Sequence, residues 1–163
     1  MKVYEMGTPQ DLKVLLSRME TENYSNLKDY NIRFAVLLVT NENTKTGEVL
    51  PVFKPLPYRV KLNDIKDRLM KNVDVEVHID MSYWSECSLE EKEALFDGAL
   101  EHLEVVYKKD FPVYHDDGVI KLKLVHPDMV YVGYSIIAER HGVKSPEIKT
   151  WLEFREEFKD VLS

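Results

Sequence analysis

The chain has 163 residues and a net charge of −7, from 29 acidic and 22 basic side chains. That balance excludes a protein whose task is to neutralise a nucleic-acid backbone, which needs a basic face. At 44% hydrophobic residues the chain can bury one core, but no apolar run approaches the ~20 residues of a membrane span.

Cys87 is the sole cysteine, so no intramolecular disulfide is expected and a reducing compartment suits the chain. Its acidic neighbours Glu86, Glu90 and Glu91 disfavour a thiolate, which argues against a nucleophile. The opening stretch M-K-V-Y-E-M-G-T-P-Q has no apolar signal region, so a cytoplasmic protein is expected.

Residues 1–7 read as an extended arm. Thr8-Pro9 is a helix start, and Leu12, Leu15, Leu16 and Met19 share one face of a helix that fades near Glu22-Asn23. Ile32–Thr40 is nearly all apolar and reads as a central strand. Asn41–Gly47 is a polar loop, and Val49–Lys54 a short strand broken by Pro51 and Pro55. Tyr58–Leu62 returns as a strand, and Asn63-Asp64 caps a helix through Met70. Val73–Ile79 alternates, with Asp74, Glu76 and His78 on a wet face, which predicts an edge or near-edge strand and an exposed His78. Met81–Glu86 reads as a turn in which Trp84 anchors the next helix by packing.

That helix is predicted over Ser88–Val106. Ser88 and Glu91 form a capping box, and Leu95, Ala99, His102 and Val106 line one face. Asp116-Asp117-Gly118 is a turn between Phe111–His115 and Val119–Val125, a hairpin pattern. His126-Pro127-Asp128 starts a helix carrying Met129, Val132, Ile136 and Ile137, which ends at Arg140-His141-Gly142. Ser145-Pro146 starts a last helix with Trp151, Leu152, Phe154, Phe158 and Leu162. Strands run together between helices with few crossovers. The fold class is therefore α+β, a small mixed or antiparallel sheet against helices, in a single domain over 1–163.

Four stretches carry a resemblance to the zincin-like phage metallopeptidase family. They are the strand pair I-R-F-A-V-L-L-V and V-D-V-E-V-H-I-D, the helix lead-in W-S-E-C-S-L-E-E-K-E-A-L-F-D, the segment D-G-V-I-K-L-K-L-V-H-P-D, and the ending I-A-E-R-H-G. A zincin helix reads H-E-x-x-H, with two imidazoles on one face and the Glu as general base. The resemblance puts the first zinc ligand on Gly98, the catalytic Glu on Ala99, the second ligand on His102 and the third on His126. Gly98 has no side chain to coordinate with. Ala99 cannot take a proton, and a positioned base is worth ~10²–10⁴-fold in rate. A glycine inside a helix also costs ~1 kcal/mol against alanine, so it serves close packing or leaves space for a partner.

Substitute donors are poorly aimed. Glu101 points about 100° from His102, and Asp97 about 140°; His115, Asp116 and Asp117 sit on a turn that can fold over the helix. His141 reads as a helix-ending residue, and Tyr131 and Tyr134 as packing residues near the former cleft. The leading expectation is a phage or prophage protein of metallopeptidase-like fold with a degenerate site. It holds no zinc and acts by binding or inhibiting a host protein. The alternatives are a zinc-dependent peptidase built on His102 and His126, and an acidic DNA mimic that inhibits a nucleic-acid enzyme.

Overall fold

The apolar run at Ile32–Thr40 becomes an inner strand of a mixed sheet, in a computed structural model that describes residues 1–126 and 134–157. The chain opens with β1 (Lys2–Met6), α1 (Pro9–Met19), a short α2 (Ser25–Lys28) and β2 (Phe34–Glu42). It continues through β3 (Val49–Leu50), β4 (Tyr58–Leu62), α3 (Ile65–Lys71) and β5 (Val75–Asp80). Next come α4 (Met81–Glu86) and α5 (Leu89–Glu101), then the short strands β6 (Leu103–Val105), β7 (Tyr107–Lys108), β8 (Phe111–Pro112) and β9 (Leu122–Leu124). Helices α6 (Ser135–His141) and α7 (Pro146–Glu157) close the described chain. This is the α+β class expected.

The main sheet has the order β1-β2-β5-β4, with β3 pairing at the end of β2. β2 and β5 are parallel, in register from Phe34 opposite Val75 to Val39 opposite Asp80. The outer pairs β1–β2 and β4–β5 are antiparallel. One sheet face gives Phe34, Val36, Leu38, Val75, Val77 and Ile79 to a core completed by Leu15, Leu95, Phe96 and Leu100. Burying each such side chain contributes about 1.5–3 kcal/mol. Both helices on that core start where predicted: Ser88 and Glu91 form the expected capping box, and Thr8 caps α1 through a reciprocal box with Asp11 that the Thr8-Pro9 signal did not include. Trp84 is buried edge-on to Phe96, ring centroids 5.2 Å apart, and so anchors the start of α5.

Several expectations change. The arm at residues 1–7 is a paired strand, because its backbone satisfies the open side of β2 from Leu37 to Asn41. Residues 81–86 are helical, with the Asp80 carboxylate capping the amide of Ser82. The polar face of β5 is not wet. Asp74, Glu76 and Asp80 are buried there, and His78 is half-buried beside Glu76. Each buried acid has a partner: Asp74 binds Arg33, Glu76 binds Lys71 and His78, and Asp80 caps Ser82 and accepts from the amide of Val52.

Helix α5 stops at Glu101, five residues before Val106, and His102 is its C-terminal cap. The chain then turns into β6, which pairs with β9 from Leu103 opposite Leu124 to Val105 opposite Leu122. A non-local ladder therefore overrides the apolar spacing that carried the helix to Val106. The hairpin about Asp116-Asp117-Gly118 survives as a narrow pairing of Tyr114 with Ile120. The regular ladders fall elsewhere, on β6–β9 and β7–β8. Pro127, Met129, Tyr131 and Val132 of the helix expected after His126 lie outside the described residues, as do Phe158 and Leu162.

Candidate functional site around His102

Helix α5 crosses beneath edge strand β4 and carries Asp97, Gly98, Ala99 and His102. Asp97 and Ala99 are buried in different surroundings. Ala99 belongs to the hydrophobic core. The Asp97 carboxylate faces α1 and α6. Arg18 grips it with Nε and Nη2 at 2.8 and 2.7 Å, and His141 Nε2 donates to it at 2.8 Å. Around this pair, the Tyr24 hydroxyl donates to the Asp97 carbonyl at 3.0 Å, and Arg140 donates to that hydroxyl at 2.9 Å. Arg140 also lies 3.4 Å from Glu101. His141 thus does more than end its helix, and Asp97 and Glu101 are both committed to interhelical pairs on the side away from β4.

Gly98 faces β4. A methyl group built at its Cα would lie 2.5 Å from the Tyr58 hydroxyl, 3.3 Å from the ring carbon bearing it, and 3.6 Å from Glu147 Oε1. The place where a ligand side chain at position 98 would begin is therefore filled by a phenol from β4. Tyr58 and Glu147 are both buried. Burial, then the Glu147 carboxylate, raises the Tyr58 pKa well above the ordinary tyrosine range. The phenol stays neutral at all physiological pH.

His102 survives with an ordered ring. Its Nδ1–H donates to the Val125 carbonyl at 3.3 Å. Tyr58 and Tyr134 pack edge-to-face on it, with centroids 5.8 and 5.0 Å away. Burial lowers its pKa, and the His126 charge adds to that direction. The neutral tautomer set by Val125 leaves Nε2 with a lone pair. His126 is exposed and lines the same cleft, about 280 Å³, together with Tyr58, Leu56, Val60 and Leu124. The Tyr134 hydroxyl donates to the same Val125 carbonyl at 2.9 Å, and this tyrosine is buried against His102 as a packing residue.

The structure thus brings His102 and His126 together and leaves the other candidates elsewhere. Asp117 is bound to Arg68, Asp116 is exposed, and His115 lines a separate small pocket with Arg68 and Asn63. Cys87 has its pKa raised chiefly by burial, with Lys149, Tyr83 and Lys92 pulling the other way and Glu86 adding to the rise; the acidic neighbours named from the sequence are a minor cause. Sequence reasoning missed Tyr58 and Glu147. The only signal for Tyr58 was the glycine it touches, and Glu147 had none beyond following Pro146.

A catalytic zinc centre takes three protein ligands and a water. This donor set does not fit one. Two imidazoles share the cleft, a phenol packs against the glycine to which the resemblance gives the first ligand, and the residue to which it gives the base is an alanine in the core. Among the described residues, no three His, Cys, Asp or Glu side chains are grouped to hold a metal ion. No helix among them is long and apolar enough to cross a membrane. In comparison with known proteins, the family model described as putative phage metallopeptidase matches residues 8–159. No curated protein and no solved structure matches the chain.

Proposed function

We propose that this chain, which belongs to the phage metallopeptidase family, works by binding another protein and not by hydrolysing peptides. Membership rests on the match over residues 8–159. The observation that carries the functional reading is the contact of Tyr58 with Gly98, where a phenol fills the volume in which a first metal ligand would stand. A lost ligand alone leaves an open socket. A lost ligand with its space refilled by a core tyrosine describes a site that has been given over to packing. The fold is retained around it, with capped helices, a filled core and buried charges in pairs. A retained scaffold without its chemistry suits a protein selected for its surface, and for a phage-encoded chain the natural target is a host protein.

The test uses the unmodified protein, purified without chelator. Elemental analysis is expected to find no stoichiometric zinc, peptide-library cleavage no activity, and affinity capture from host lysate one saturable partner that rebinds when purified. One equivalent of tightly held zinc, or cleavage abolished by His102→Ala, overturns the reading.

A further inference from the structure

We infer that Tyr58 is a third determinant of the lost site: its ring has taken the volume of the first ligand, and Tyr58 and Gly98 now require each other. The inference rests on reading position 98 as a former ligand position. Tyr58 is 3% exposed, yet its hydroxyl has no hydrogen-bond partner among the described residues. A buried, unbonded hydroxyl is unfavourable, so hydrogen bonding is not what holds it beside α5. Packing holds it. The ring stands between the backbone of Gly98 on one side and the imidazole of His102 on the other, and its strand is fixed in register, Tyr58 opposite Ile79. A tyrosine has two side-chain torsions and a rigid ring, so it cannot yield locally as a lysine would. A single methyl at position 98 already meets it at 2.5 Å, and an imidazole is far larger. Restoring the two motif residues, Gly98→His with Ala99→Glu, therefore does not restore a metal site. Tyr58→Ala must accompany them to give the new imidazole its place beside His102 and His126.

The experiment titrates zinc chloride into purified G98H/A99E and Y58A/G98H/A99E and measures bound metal after gel filtration. About one equivalent is expected in the triple variant and none in the double. Equal uptake, whether both bind or neither does, overturns the inference. Because the triple variant disturbs the core, a readout of packing alone stands beside it. Gly98→Ala is expected to lower the melting midpoint by about 5 °C or more in the Tyr58 background. Combined with Tyr58→Phe, whose ring carbon leaves 3.3 Å to the added methyl, its effect falls to half or less. Equal losses in the two backgrounds also overturn the inference. The outcomes separate from those above. Zinc in the unmodified protein sinks the non-catalytic reading, whereas a zinc-free wild type with a zinc-binding G98H/A99E overturns this inference and takes the packing argument from that reading, leaving it only the missing ligand and base at Gly98 and Ala99.

Discussion

Arg18 and Asp97 meet through two parallel hydrogen bonds, 79 residues apart in sequence, and bind α1 to α5 at the level of the candidate site. The acid is fully buried, and His141 of α6 shares it. Taking away the guanidinium leaves a carboxylate in the interior with one imidazole, and a stranded buried charge is expensive. Arg18 itself is partly exposed, so the low end of the usual range applies. Arg18→Met is expected to lower stability by about 3 kcal/mol in urea denaturation. Arg18→Met with Asp97→Leu removes both charges, and its loss should be clearly smaller than the sum of the single losses. Strict additivity would show that the pair is not coupled.

The buried imidazole of His102 makes a second expectation, in pH. Its pKa in the folded chain lies below the ordinary 6.5, through burial and the neighbouring His126. Below 6.5 the unfolded chain takes up a proton that the folded chain resists. Stability is therefore full above that pH and falls as pH drops through it toward the folded value. Thermal melts between pH 8 and 5 should show this decline, and His102→Gln should flatten it. An equal slope in the variant would assign the decline to other groups.

The spacing of residues carried the fold further than it carried the site. The helix start at Thr8-Pro9, the capping box at Ser88, the run at Ile32–Thr40 and the alternation at Val73–Ile79 are local signals, and they reached the structure as the starts of α1 and α5 and as the strands Phe34–Glu42 and Val75–Asp80. The end of α5 did not, because the pairing of Leu103–Val105 with Leu122–Leu124 joins segments that no local period connects. The same holds for the acids of β5, whose alternation reads as a wet face. They are covered because Arg33, Lys71 and His78 complete their bonding. At the site, Gly98 was legible as an anomaly, but its cause lies 40 residues earlier on β4, and only the three-dimensional approach of Tyr58 reveals it.

Arg68 gives a test of how the turn after β8 is held. It is buried, grips Asp117 with Nε and Nη2 at 3.0 and 3.1 Å, and donates Nη1 to the Asn63 carbonyl at 2.9 Å. Its hydrogen bond holds the Asp117 carboxyl below the ordinary range, so this contact persists above that range and is lost on acidification. Asp117→Asn leaves the buried guanidinium without its counter-charge. Amide exchange should then quicken at His115 and Gly118, whose N–H groups close the turn onto Val119 and His115, while exchange in β2 and β5 stays unchanged. Uniform exchange across the chain would mean that the turn is held by its backbone alone.

Strand β1 supplies the last expectation. It lies at the edge of the sheet and pairs five residues with β2, from Lys2 opposite Asn41 to Met6 opposite Leu37. The residue before it, Met1, is tied to β2 twice: its ammonium donates to the Glu42 carbonyl at 2.6 Å, and its carbonyl accepts from the Glu42 amide at 3.0 Å. A free arm would be dispensable, but this strand covers the N–H and C=O groups of β2 beside Val39, which is fully buried. Removing residues 1–6 turns β2 into an exposed apolar edge, a template for pairing with other chains. The truncated protein should melt several degrees lower and scatter light increasingly with concentration, where the full chain stays monodisperse. If truncation changes neither the midpoint nor the scattering, β1 contributes nothing to the sheet and residues 1–7 act as an arm after all.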